Sequence, residues 1–85
     1  MENIMEFPAG SVPVAVAAKV YSRNDAWVRA GIIAGWLPIG YATRDGKLVT
    51  EIEQMNSKFG VISYYISPKK LYEDTGFLWK GKERK

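Results

Sequence analysis

The stretch Val12 to Pro38, VPVAVAAKVYSRNDAWVRAGIIAGWLP, decides the fold because it spells two short helices separated by a polar break. Asn24 is a good helix N-cap, and Asp25 suits the positive N-terminal end of a helix dipole. Gly35 stands where a helix would stop, and Pro38, three residues on, prevents its resumption. Together these signals predict a helix over 25–34. Ahead of it Pro13 fits a first helical position, and Val14, Ala17, Ala18 and Tyr21 recur at three- and four-residue spacing, which predicts a first helix ending at Tyr21. Ser22, Arg23 and Asn24 form the break.

The small residues in this stretch suggest close packing. Ala17 and Ala18 on the first helix, and Gly31 in the middle of the second, would let the two backbones approach. A mid-helix glycine costs roughly 1 kcal/mol relative to alanine, so a close contact at Gly31 is expected to offset it. On the second helix Val28, Gly31, Ile32 and Gly35 share one face, read as the core face. Ala26, Arg29, Ala30 and Ile33 fall on the other, read as outward. Trp27, at the edge between them, fits core or boundary packing better than a ligand contact.

Beyond Pro38 the chain changes character. Ile39, Tyr41 and Thr43 alternate with Gly40 and Ala42, and Asp45-Gly46 between Arg44 and Lys47 is a strong two-residue hairpin signal. Strand, turn and strand are expected through Val49, with Arg44 and Lys47 at the tip. The run Thr50-Glu51-Ile52-Glu53 has the form of a capping box, with Thr50 as cap and Glu53 reaching back, and predicts a short helix with Ile52, Met55 and Phe59 on one face. Val61 to Ile66 is rich in β-branched and aromatic residues and predicts a further strand. Ser67 then caps a third helix with Pro68 at its first position, Ile66 and Leu71 are placed as a hydrophobic staple, and Gly76 ends it. Phe77, Leu78 and Trp79 are expected to fold back on the core.

Composition bounds the function. Eighty-five residues make one domain with a small core. The chain has no Cys and no His, which removes disulfides, thiolate metal sites and the usual general base. Tyr64 and Tyr65 invite comparison with tyrosine nucleophiles, but they read better as sheet residues. No catalytic residue, metal or cofactor is expected. No apolar run spans a bilayer and MENIMEFPAG lacks the regions of a signal peptide, so a cytoplasmic protein is expected.

The net charge of +3 is unevenly spread. Residues 80–85, KGKERK, hold four cations against one acid, whereas residues 1–79 carry eight of each and sum to zero. Within that neutral body, Lys19, Arg23, Arg29, Arg44 and Lys47 face only Asp25 and Asp45 over residues 19–47. A local basic patch therefore coincides with the helix pair and the hairpin. The domain is expected to span 1–79, with a short N-terminal arm, and 80–85 to be a disordered basic tail.

Val12 to Pro38 resembles the start of the excisionase and MerR-like winged helix-turn-helix domains of phages and mobile elements. Those have an alanine-bearing first helix, a polar turn, a second helix with an arginine one position after a core valine, here Arg29 after Val28, and a closing Gly with an apolar pair. The run YYISPKKLYEDTG, Tyr64 to Gly76, resembles the strand and third helix that follow the wing. The two runs cover about half of the chain. The segment from Asp45 to Val61 departs from the family in being longer than its compact wing. The resemblance implies an α+β winged helix-turn-helix fold with a short antiparallel sheet, and the longer segment makes an extended wing of it here. It also implies non-enzymatic binding of double-stranded DNA, as an excisionase-like recombination directionality factor or a small transcription regulator.

On this reading the second helix lies in the major groove with Asn24, Ala26, Arg29 and Ala30 near base edges or phosphates. Lys19 and Arg23 flank it, and Arg44 and Lys47 reach the backbone or minor groove. A recombinase or another host or phage protein, and self-association on DNA, are further expected partners. The same features leave a second reading open. Ala26, Ala30 and Ile33 would touch thymine methyl groups or, as an exposed apolar strip, dock a protein, as in a phage-encoded inhibitor or adaptor. Arg29 itself has a plain alternative in a pairing with Asp25 one turn earlier.

Overall fold

A computed structural model describes residues 6–55 and 60–81. Over these the chain is a small α+β domain of three α-helices and one three-stranded antiparallel sheet. Helix α1 spans Val14–Tyr21 and α2 spans Asp25–Ala34. Strands β1, β2 and β3 are Gly40–Arg44, Lys47–Leu48 and Ser63–Ile66, and α3 is Pro68–Thr75. No helix among the described residues is long and apolar enough to cross a membrane.

The helix pair forms as its punctuation demands. The Asn24 side chain accepts the Trp27 backbone N–H at 2.8 Å, satisfying one orphan donor of α2. At the other end Gly35 has φ +93° and its N–H returns to the Gly31 carbonyl at 3.0 Å. Helix α1 starts one residue later than expected. Pro13 is extended, with ψ 144°, and acts as the N-cap residue whose carbonyl accepts Val16 and Ala17 N–H. Ser22 ends α1 in the left-handed region, and the Arg23 N–H reaches the Ala18 carbonyl at 2.9 Å. That closure turns the chain within three residues and brings α2 against α1 beside the buried Ala17 and Ala18.

Gly31 serves a different contact from the one expected. The nearest atoms to a Cβ built there are the Trp36 ring and Leu37 Cβ, at 2.7 to 2.9 Å. The Gly31 carbonyl also accepts N–H groups from both Gly35 and Leu37. Gly31 thus accommodates the chain folding back over the end of α2, rather than a close approach of α1. Ile33 is a second correction, for it is buried and belongs to the core, not to the outward face. The helix packs on β1 and on the segment after β2 as well as on α1, which widens its buried face. Ala34 is exposed instead.

The hairpin matches its turn chemistry. Asp45 and Gly46 both have positive φ, 53° and 79°, the pattern of a type I′ turn whose twist suits two antiparallel strands. Strand β1 lies between its partners, with Thr43 opposite Leu48 and Tyr41 opposite Tyr65. After β2 comes a single 3-10 turn, Ile52–Met55, instead of an α-helix. Its cap is shifted by one residue from the expected box. The Gln54 side chain, not Glu53, reaches back to accept Thr50 and Glu51 N–H, at 3.2 and 3.0 Å. Glu51 therefore holds the cap position and Gln54 stands three residues inside. Phe59 lies outside the described residues. Val61 is 86 % exposed and precedes β3, which is shorter than expected.

The last third follows its signals closely. The Ser67 hydroxyl accepts Lys70 N–H, Pro68 opens α3, and Ile66 and Leu71 are both fully buried as the staple requires. Trp79 returns to the core, while Phe77 stays exposed. The N-terminal segment closes the outer edge of β3: Val12 N–H donates to the Ile66 carbonyl, and the Ser11 hydroxyl accepts Ile66 N–H at 2.9 Å. This covers backbone groups that would otherwise template further strand pairing.

Candidate nucleic-acid interface

Of the residues singled out from sequence, Ala26, Arg29 and Ala30 lie on α2, Arg23 and Asn24 in the turn that precedes it, and Lys19 in the last turn of α1. Lys19 is exposed in the last turn of α1, where a cation also suits the helix dipole. Arg23 is exposed in the turn, with its guanidinium carbon 5.2 Å from the Trp27 ring centroid. Asn24 commits its side-chain oxygen to the cap. Ala26 is exposed and Ala30 half-buried, and with Ala34 they run along one side of α2 at four-residue spacing. The outward surface is therefore narrow and smooth, with positive charge at its N-terminal end.

Arg29 is held from two sides. Its Nη2 lies 3.7 Å from the Asp25 carboxylate one turn back, the plain pairing open to it from sequence, with both side chains nearly half exposed. An exposed pair of this kind contributes little net stability. Its guanidinium also lies 5.9 Å from the ring centroid of Tyr64 on β3, within the range of a cation–π contact. Burial pushes the Tyr64 phenol above its ordinary value, and the charges of Arg29 and Arg44 pull it back. Tyr64 was legible as a sheet residue, but not its place under Arg29, because that contact joins residues far apart in sequence and in different elements.

The hairpin residues part company. Lys47 is exposed, next to the exposed Leu48. Arg44 is half-buried and folds back, donating from Nη2 to the Gln54 carbonyl. It ties the 3-10 turn to the sheet rather than extending from the tip. Gln54 is thus a junction residue, capping with its side chain and accepting Arg44 with its backbone.

A continuous aromatic group flanks α2. Tyr21 packs on Trp27 at 5.4 Å and Trp27 on Trp36 at 5.1 Å, edge to face in the second case. Trp27 has the boundary role expected of it, and Trp36, 53 % exposed, is the large outward side chain that sequence reasoning did not single out. The signal for it was present in Gly31, since a glycine five residues ahead leaves room for an indole to fold back. Tyr21 also donates its hydroxyl to Asp74 at 2.7 Å, joining the end of α1 to α3.

No protein-family model, curated protein or solved structure matches the chain.

Proposed function

We propose that this chain is a small winged helix-turn-helix protein that binds double-stranded DNA without chemistry, with α2 as the reading helix and the β1–β2 hairpin as the wing. One observation carries the reading. Helix α2 is fixed at both ends and along its core face, leaving Ala26 and Ala34 exposed, Arg29 and Ala30 half exposed, and the exposed Arg23 and Lys19 in the preceding turn and the last turn of α1. A narrow alanine surface admits the helix to the major groove and offers methyl groups to thymines, while the flanking cations meet phosphates. The basic patch within a body that sums to zero charge agrees with this. By resemblance, the role is that of an excisionase-like directionality factor, acting beside a recombinase, or of a small transcription regulator of a phage or mobile element.

A fluorescence anisotropy titration with random and native flanking duplexes across a salt series tests the proposal. Binding that weakens linearly in log–log form with salt, and that is tighter for one native sequence, is the expected result. Absence of binding at low salt would refute it. A second reading has its own support in the exposed Trp36, packed on Trp27 of α2, which suits a protein-binding adaptor. Ala30→Glu separates the two: on the DNA reading it abolishes duplex binding by repulsion and bulk.

A further inference from the structure

We propose that Arg29 and Tyr64 together form a seat for a single phosphate of the DNA backbone, coupling the reading helix to the sheet. The phosphate as physiological ligand rests on the DNA-binding proposal above. The seat itself rests on the geometry. Arg29 sits over the Tyr64 ring at 5.9 Å, so the guanidinium is steadied by an aromatic face while the side chain as a whole stays nearly half exposed. Tyr64 pairs with Ala42 across the sheet, and Arg44, two residues along β1, lies on the same face by strand alternation. Two cations therefore bear on the phenol, and Asp25 is the acid paired with Arg29. Arg44 need not touch the ligand: bonded to the Gln54 carbonyl, it adds positive field from a fixed position.

The chemistry selects an anion with several acceptor oxygens. Arginine presents planar paired donors matched to phosphate or carboxylate, and a tyrosine hydroxyl supplies one further donor. Burial favours the neutral phenol, which keeps that proton available. Asp25 acts as the occupant to be displaced, since an exposed i,i+4 pair is weak enough for a phosphate to compete with it. A phosphate held between α2 and β3 would fix the tilt of α2 relative to the sheet, so the seat sets orientation and not sequence choice.

The test uses the full chain and inorganic phosphate, with chloride at equal ionic strength as control, followed by NMR at the Arg29 side-chain N–H and the Tyr64 ring. Saturable phosphate-specific shifts at both are expected, with affinity lowered about tenfold or more in Tyr64→Phe, which removes the donor and keeps the ring. Equal phosphate affinity in Tyr64→Phe and the parent, or shifts no larger than those from chloride, would overturn the seat. A duplex titration keeps the two proposals apart. If the parent binds duplex and Tyr64→Phe binds it equally with an unchanged salt slope, the seat is wrong and the DNA reading stands. If phosphate is bound at Arg29 and Tyr64 but no duplex is, the seat stands and the DNA reading falls.

Discussion

Arg29 is the residue on which most of the account turns. Its side chain is about half exposed and rests on Asp25 and the Tyr64 ring rather than inside the core, so removing it opens no cavity there. Arg29→Ala should weaken DNA binding by roughly 1 to 3 kcal/mol, with an unchanged thermal midpoint; anisotropy and circular dichroism on the same samples check both halves. Tyr21 gives a residue-scale prediction about stability. Burial first, then the hydrogen bond and charge of Asp74, raise its phenol well above the ordinary value. Folded Tyr21 therefore resists ionisation that the unfolded chain permits. Its contribution is complete below the ordinary phenol value of about 10 and is lost as pH rises above that. Denaturant midpoints measured from about pH 8 to about pH 11, a window that brackets that value, should fall faster at the alkaline end for the parent than for Tyr21→Phe. Parallel curves would remove this role.

At the scale of elements, legibility followed the range of the interactions. Helix α2, the Asp45-Gly46 turn and the Ser67 cap were readable because each depends on residues close to one another along the chain. Ile33 was misplaced because α2 packs on β1 and the segment after β2 as well as on α1, a tertiary burial that no periodicity within α2 reports. Gln54 was missed by one position because the turn starts one residue later than the Thr50 signal implies, which puts Gln54 rather than Glu53 where its side chain reaches back to the Thr50 and Glu51 N–H groups. Gly31 was rightly marked as a close contact but assigned the wrong partner. Gly31→Ala would place a methyl group 2.7 to 2.9 Å from Trp36 and Leu37, and overpacking of that kind costs roughly 1 to 3 kcal/mol against the small gain in helix propensity. A lower thermal midpoint with altered tryptophan emission is the expected outcome. A stabilised variant would show that the Trp36 turn yields freely.

For the whole molecule, the sequence displayed the α+β class and the clustering of charge, while the spatial coupling of α2 to the sheet through Arg29 and Tyr64 came from the structure. The charge division makes a further prediction. The body over 1–79 is neutral and residues 80–85 carry the net +3, so the tail should supply much of any nonspecific attraction. Deleting 80–85 should reduce the slope of log affinity against log salt by about 0.9 for each phosphate that the tail neutralises, while sequence preference survives. Loss of all affinity on truncation would mean that the body has no DNA surface of its own. The central claim, that α2 enters the groove, is tested most directly by amide chemical-shift mapping of the labelled protein with a duplex it binds. The account predicts shifts concentrated on residues 19–34 and 44–47, with the Trp79 region unmoved. Shifts centred on residues 77–81, with α2 unperturbed, would contradict it.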